Sequence, residues 1–524
     1  MTLTYFLAFS NVLSEPGLDE TINEWFTPIA DFCSGIVLYQ VFGVPLILII
    51  LVGGALLFTV YFSFINIRRF PLSIQIVRGK FDHIEQGGEK ITTENLNIVD
   101  GDILDTIRIE GKEGEVSHFQ ALATAVSGTV GLGNIAGVAI AIALGGPGAT
   151  FWMIVCGLLG MSTKFVECTL GVKYRDISED GTVYGGPMYY MNKGFSELER
   201  GGLGKLLALI FSVLCVGASL GAGNAAQSNQ AASQLASLFN ISGSNAGSII
   251  GLVLAVVVGI VIIGGIKRIA SVTEKIVPFM AATYVGACLF IIFSNFSVLG
   301  QAFGLIYHGA FSPEAGLGGF FGVMIVGFQR AAFSNEAGAG SASIAHSAVK
   351  TKYPASEGLV ALLEPFIDTV VVCTMTALVI VIYNMSGAFA YGTSEVMVNG
   401  ESVGGTVLTS LAFASTIPWF PYILTLAIIL FAISTMISWS YYGLQAWLYI
   451  FGKSKIAELS FKIIFLIFIV IGAAANMTSV WSFSDAMILG MVFPNMFALF
   501  FLFPKVKKEL NRYLEAIDVK KFFK

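Results

Sequence analysis

Charge is what this sequence has least of: Asp, Glu, Lys and Arg make up 12% of its 524 residues, against roughly 25% in an ordinary soluble domain. That scarcity excludes a soluble globular chain. A hydrophobic fraction of 55% and a mean hydropathy of +0.79 make it an integral membrane protein. The net charge of -5 and the pI near 5.5 remove the electrostatic ground for nucleic-acid binding. Histidine is scarce, at 4 in the whole chain, and the 6 cysteines include no CxxC pair. Neither a zinc site nor a disulfide framework is indicated, and Cys33, Cys156, Cys168, Cys215, Cys288 and Cys373 read as small buried hydrophobes. HExxH and GxxxxGK are both missing, which argues against a metallohydrolase and an ATP-driven machine. The opening stretch MTLTYFLAFSNVLSEPG has no basic residue before a short apolar run, so it makes a poor signal peptide.

Long hydrophobic runs stand in place of charge. Crossing about 30 Å of hydrocarbon takes roughly 20 residues, and such runs lie at 42–65, 119–145, 150–173, 205–238, 246–265, 272–294, 317–346, 356–385, 420–450, 458–476 and 482–504. Eleven spans are therefore expected. No Lys or Arg precedes the first, whereas the loop at 66–118 carries Arg68, Arg69, Arg78, Lys80, Lys90, Arg108 and Lys112. By the positive-inside rule the N-terminus lies outside and that loop is cytoplasmic. The connections with Lys173/Arg175, Lys267/Arg268, Lys350/Lys352 and Lys453/Lys455 fall on the same side, as does the basic tail at 505–524. The loop at 66–118 is mixed in charge and partly strand-like, which suits a small appendage. Short interfacial helices are expected in GQAFGLIYHGAFSPEAG and GTVLTSLAFAS.

The second span is written against its own fold. Gly128, Thr129, Gly131, Gly133 and Asn134 are poor helix formers placed at mid-membrane depth. Lipid offers no partner to a free N–H or C=O, so such a break is tolerated only where it is buried in protein or lines a polar cavity. Carbonyls at Ser127 to Val130 would then suit a bare cation, and N–H groups at Gly131 to Asn134 a carboxylate. One glycine-rich span is equally well explained by close helix packing. A second interruption changes the balance: the seventh span carries Ser334, Asn335, Glu336, Gly338 and Gly340. With the first span set aside, spans two to six and seven to eleven form two groups of five in opposite orientation, each opened by a broken span. That arrangement is the sequence pointer to the midplane site of a secondary transporter.

Several long motifs occur in order: TVGLGNIAGVAIAIALGGPGATFWM, GMSTKFVE, GGPMYYM, FQRAAFSNEAGAGSASIAHSAV and STMISWSYYG. In these the sequence resembles the alanine or glycine:cation symporters over nearly the whole chain after residue 118. GLGNIA also fits a relaxed dinucleotide-binding fingerprint, but no preceding strand supports that reading. The resemblance implies an all-α membrane protein with the neurotransmitter:sodium symporter-like fold. It divides the chain into an external segment (1–41), an extra transmembrane helix (42–65), the cytoplasmic loop (66–118), a first inverted repeat (119–294), an outer loop (295–316), a second repeat (317–504) and the tail (505–524). Na⁺-coupled uptake of a small neutral amino acid, in a bacterial inner membrane and with no obligate protein partner, is the implied function. Proton coupling is the alternative, with a channel or a sensor further off.

On the same resemblance, Na⁺ would be held by the carbonyls of Ser127, Val130 and Phe431 and the hydroxyls of Ser434 and Thr435. Positions 431, 434 and 435 share a helix face, though Ser434 and Thr435 can also bond back to their own helix. The substrate carboxylate would take N–H groups between Gly131 and Gly133, close to Thr129. Its amino group would meet Asn134 or the unwound chain near Phe333 and Ser334. Asn224, Gln227, Thr435 and Trp439 would lie beside it, Trp439 capping a pocket fit for a small side chain. Ionisable residues in the spans are candidates by default: Lys164, Glu167, Arg330, Glu336, Glu364, Asp368 and Asp485. Lys164 with Glu167, and Arg330 with a nearby acid, are expected as helix-holding or gating pairs. Glu274 and Lys275 read as snorkelling residues. His346 is the one histidine near a span with polar company.

Overall fold

A computed structural model describes residues 18–85, 98–99, 102–103, 114–239, 241, 245–311, 319–393, 396–398, 401–475 and 477–517. The first 17 residues of the external segment and residues 86–97, 100–101 and 104–113 of the loop at 66–118 lie outside these. The described residues open with α1 (Leu18–Val37), a tight hairpin of β1 (Gln40–Val41) and β2 (Val44–Pro45), and α2 (Leu46–Tyr61). Three short helices follow, α3 (Ile65–Arg68), α4 (Phe70–Val77) and α5 (Asp82–Glu85), and then the β3–β4 hairpin (Ile98–Val99, Asp102–Ile103).

The first broken helix is α6 (His118–Thr129) and α7 (Ala136–Gly145), joined by a 3₁₀ turn at Leu132–Asn134 and bent by 56°. α8 (Ala149–Lys173), the β5–β6 hairpin (Asp176–Ile177, Val183–Tyr184) and α9 (Pro187–Ser196) come next. α10 (Gly201–Leu220) runs through a π-helical turn at Gly221–Ala225 into α11 (Ala226–Phe239), and α12 (Ala246–Ile262) and α13 (Gly265–Ser294) follow. After α14 (Phe296–Phe311), the second broken helix is α15 (Gly319–Asn335) and α16 (Ala342–His346). α17 (Pro354–Ala361), α18 (Leu363–Pro365), a π-helical segment at Phe366–Cys373 and α19 (Thr374–Asn384) make one span. The β7–β8 hairpin (Val396–Val398, Glu401–Val403), α20 (Gly405–Ala414), α21 (Phe420–Phe451), α22 (Lys455–Ala474) and α23 (Met477–Ala516) complete the chain.

Among the described residues 7 helices are long and apolar enough to cross a membrane, or up to 8 with the bent α6/α7 pair taken as one span. α2 and α12 are apolar but shorter, at 16 and 17 residues, and α15 is a 17-residue helix. Each expected run therefore contains helix, although fewer than eleven pass on length.

Polarity runs inside out. Ile249, Leu252, Val253 and Val256 of α12 and Ile456, Leu459, Ile463 and Ile467 of α22 stand exposed, an apolar surface suited to lipid. Ser127, Asn134, Lys164, Glu167, Glu364 and Asp368 are buried completely. The basic loops gather at one end. Arg175 donates to the carbonyls of Ser347, Val349 and Thr351, Lys173 pairs with Glu509, and Lys453 lies 3.7 Å from the Tyr184 ring centroid.

Of the two expected interfacial helices, α14 falls where the first was placed. α20 falls at the second but does not lie on the surface. Its Thr409 donates to the Ile135 carbonyl at 3.2 Å, and a Cβ on Gly405 would stand 2.5 Å from the Ala136 carbonyl oxygen. It packs into the bundle over the first break.

Candidate functional site

α6 begins firmly and ends early. Ser117 caps it by accepting from the Gln120 N–H, and Gln120 reciprocates by accepting from the Ser117 N–H. The helix stops at Thr129, and the chain turns through Val130 and Gly131 where the glycines of the sequence placed the interruption. Gly131 is required by crowding: a Cβ there would stand 2.7 Å from the Thr435 hydroxyl and 3.3 Å from the Gln227 side-chain oxygen. The freed backbone groups find side-chain partners. The Gly131 N–H donates to Asn134 Oδ1 at 2.9 Å and the Leu132 N–H to Gln227 Oε1 at 3.4 Å.

One face of the break meets α21 through uncharged groups. Ser127 Oγ donates to the Ser434 carbonyl at 2.8 Å, and Thr435 Oγ1 donates to the Ser127 carbonyl at 2.9 Å. Ser434 Oγ donates back to the Phe431 carbonyl at 3.0 Å, the local bond that such residues favour in helices. Val130 caps α6, its N–H donating to the Val126 carbonyl. Trp439 is buried and donates from Nε1 to the Gly128 carbonyl at 3.2 Å.

The opposite face meets a carboxylate. Asn134 Nδ2 donates to Asp368 Oδ1 at 2.6 Å and to Ser334 Oγ at 3.1 Å, while Ser334 Oγ donates to Asp368 Oδ2 at 2.8 Å. Thr369 Oγ1 adds a donation to the same oxygen at 2.7 Å. Asp368 therefore joins both broken helices from the π-helical turn of a third, the kind of local distortion that frequently marks functional sites. All these donors are neutral, and burying an ion costs several kcal/mol before compensation. The second break itself turns on Glu336, at a φ of 53°, followed by Gly338 and Gly340 at 97° and 86°. That left-handed backbone is unusual for a non-glycine residue, and the Glu336 carboxylate accepts from Ser341 Oγ across the turn.

The expected substrate neighbours divide. Gly131, Asn134, Gln227, Ser334 and Thr435 converge on the first break. Gly133 faces the Phe333 ring, where a Cβ would stand 3.6 Å away, and that ring packs against Trp481 at 5.0 Å between centroids. Thr129 bonds back to Ala125 and Val126 within its own helix. Asn224 turns away, its Nδ2 donating to the Phe465 carbonyl of α22 at 2.6 Å. One pairing differs from expectation. Lys164 Nζ pairs with Glu364 at 3.1 Å, whereas Glu167 Oε1, on the lysine's own helix, accepts from Asn495 at 2.7 Å. Arg330 finds its acid in Asp485 at 2.6 Å. Sequence reasoning left Asp368 outside the proposed site although it flagged the residue as ionisable, gave Cys373 beside Asn134 no role there, and missed Thr409 at the Ile135 carbonyl.

Interrupted helices converging at a buried polar centre inside an apolar shell define a multi-pass membrane protein of the transporter class. The family whose sequence pattern matches residues 31–522 is the sodium:alanine symporter family, and the chain belongs to it. It is 37% identical to the sodium/alanine symporter AgcS of Methanococcus maripaludis, over 90% of this chain and 94% of that one. It is 35% identical to the putative sodium/proton-dependent alanine carrier protein YrbD of Bacillus subtilis, over 76% of this chain and 81% of that one. The crystal structure of MhsT in complex with L-phenylalanine is similar with a TM-score of 0.49 at 14% identity, covering 75% of this chain and 99% of that one.

Proposed function

We propose that the protein is a secondary active symporter that couples inward Na⁺ movement to uptake of a small neutral amino acid, alanine first, with glycine and D-alanine as the nearest rivals. The observation that carries this reading is the double convergence at the first break: neutral oxygens of Ser127 and Thr435 on one face, Asn134, Ser334 and Asp368 on the other. Na⁺ would be held by the carbonyls of Ser127, Val130 and Phe431 with the hydroxyl oxygens of Ser434 and Thr435, which retain lone pairs while they donate elsewhere. Neutral oxygens suit a hard monovalent cation.

A substrate carboxylate would take over N–H groups at Gly131 and Leu132 from Asn134 and Gln227, and its ammonium would face the Ser334 and Asp368 side. Trp439 closes the neighbouring space and limits side-chain size. The basic end faces the cytoplasm in this reading, of a bacterial inner membrane, with the N-terminus outside. One Na⁺ crossing about 100 mV yields about 2.3 kcal/mol, and a tenfold gradient adds about 1.4 kcal/mol. That sum sustains accumulation of roughly several hundred-fold.

Uptake of labelled alanine into proteoliposomes, under an imposed Na⁺, K⁺ or H⁺ gradient in turn, is the test. Accumulation with Na⁺ and not with K⁺ is expected. Accumulation driven by H⁺ alone would move the reading to proton coupling, which the name of the YrbD relative keeps as a second reading. No accumulation of alanine, glycine or D-alanine under any gradient would overturn it.

A further inference from the structure

A file of buried ionisable groups runs from the basic end of the molecule into its centre, and neither the Na⁺ nor the substrate contacts use it. It begins at Glu85 of α5, which accepts from Tyr513, Ser356 and Thr351 at 2.6, 2.9 and 3.0 Å. Its Oε2 meets His118 Nε2 at 2.5 Å, and His118 Nδ1 bonds Glu357 Oε2. Glu357 Oε1 meets His346 Nδ1 at 2.5 Å. His346 Nε2 faces Glu364 Oε2, and Glu364 Oε1 pairs with Lys164 Nζ at 3.1 Å. The outer end lies near the surface: the N–H of exposed Lys350 donates to the Val116 carbonyl, two residues before His118. The inner end lies four residues before Asp368 in the same span.

Two features separate this file from ordinary charge pairing. His118 is hydrogen-bonded on both ring nitrogens by different carboxylates, and His346 is bonded by one and faces another, so each ring can accept a proton on one nitrogen and release the proton of the other. One link is open. His346 Nε2 and Glu364 Oε2 stand 3.6 Å apart, too far for a hydrogen bond, and neither has another partner although both are fully buried. Two unsatisfied buried atoms aimed at each other are costly unless the site uses them.

The geometry points to a gated proton relay: Glu85, His118, Glu357 and His346 pass protons between the basic face and Glu364, and closing the His346–Glu364 link connects the centre to that face. This deepens the transport reading, on which it rests, by adding H⁺ as a second ion moved during the cycle. For a proton moving inward along the file, Glu85 gives it to His118 Nε2, and the proton on Nδ1 passes to Glu357 Oε2. Once the Glu357 carboxyl turns over, the proton leaves for His346 Nδ1, and the one on Nε2 passes to Glu364. The net result is one proton moved from Glu85 to Glu364, with each imidazole left neutral in its other tautomer, which must turn over before the next transfer. The charged neighbours are Glu85 and Glu357 for His118, Glu357 and Glu364 for His346, and Glu364, Glu167 and Glu336 for Lys164.

The experiment uses the full chain in proteoliposomes loaded with a pH-sensitive dye. Labelled alanine, glycine and D-alanine are supplied under a Na⁺ gradient, and a separate arm imposes a pH gradient without substrate. His346→Gln is the main variant, because glutamine still accepts and donates hydrogen bonds but carries no proton onward. Expected are amino-acid-evoked proton movement in the wild type, slowed in D₂O, and its loss by about 100-fold in His346→Gln, with amino-acid exchange retained. His118→Gln breaks a different link, and the D₂O comparison needs no variant, so misassembly of one substitution still leaves a decision. Uptake without any proton movement, or unchanged proton movement in both variants, overturns the relay and leaves the transport reading standing. Proton flux under the pH gradient that falls in the variants, with no amino acid taken up, keeps the relay and overturns the transport reading. Absence of both overturns both.

Discussion

On one side of the break at 130–135, Ser127, Ser434 and Thr435 meet through uncharged oxygens; on the other, Asn134 and Ser334 close on the carboxylate of Asp368. Both sides are buried. The difference lies in what each asks of a cation. Carbonyl and hydroxyl oxygens are satisfied among themselves and bind an ion only by replacing part of its water shell. A carboxylate with neutral donors alone carries a full charge out of water and gains from any proton, ammonium or metal ion that arrives. A single interrupted helix thus supplies one weak-field and one strong-field position a few residues apart.

The largest expected effect comes from erasing that difference. Asp368→Asn keeps the shape and one accepting oxygen but removes the charge, so both faces become neutral. With no carboxylate left to face an arriving cation, cation-dependent substrate binding should weaken about 100-fold. Titrating Na⁺ against alanine binding in detergent checks it. An unchanged alanine affinity at every Na⁺ concentration would mean that the carboxylate is only a joint between helices.

Thr435→Val probes the neutral face and should do less. It removes the donor to the Ser127 carbonyl while keeping volume, and an orphaned buried acceptor costs about 1–3 kcal/mol. The Na⁺ concentration for half-maximal uptake should rise about tenfold, with Thr435→Ser close to wild type. If Thr435→Val outweighs Asp368→Asn, the neutral face is the stronger site and the comparison inverts.

Both interruptions were legible because they are local. Gly131 and Gly133 in one span, and Glu336, Gly338 and Gly340 in the other, contradict a helix within a few residues, and the chain breaks at those places. Of what converges on the first break, the resemblance named Gln227, Ser334 and Thr435 but not Asp368. Asn134 and Asp368 are 234 residues apart, and Lys164 reaches Glu364 across 200 residues instead of Glu167 three positions on. Periodicity reports which face of a helix is polar, not which helix stands opposite. Asn224 shows the same limit: the resemblance puts it beside the substrate, but its turn toward Phe465 is decided by packing against α22. The descent of α20 onto the break was hidden because a short apolar helix reads the same at an interface and inside a bundle. Glu85 and His118 were passed over for a related reason: one lies in a loop, the other at a helix start, and only their meeting with Glu357 gives them a role.

The smallest effect belongs to a charge that water already reaches. Glu197, beyond α9, is about half exposed and pairs with Lys505 while accepting from Tyr174 at 2.7 Å. Partial burial pushes its carboxyl up, but Lys505 and Tyr174 outweigh this and hold it below the ordinary carboxylate range. Because the folded protein favours the ionised form more than the unfolded chain does, the contribution is present above the unfolded value, near pH 4.5. It is lost as pH falls through the lower folded value. Glu197→Gln should therefore cost no more than about 0.2–1 kcal/mol at neutral pH and nothing in acid, read as the difference in thermal midpoint between the two pH values in detergent. Salt should shrink the difference further. Transport should be unmoved, unlike in Asp368→Asn, because the charge that matters to an ion in the membrane is the one held away from water.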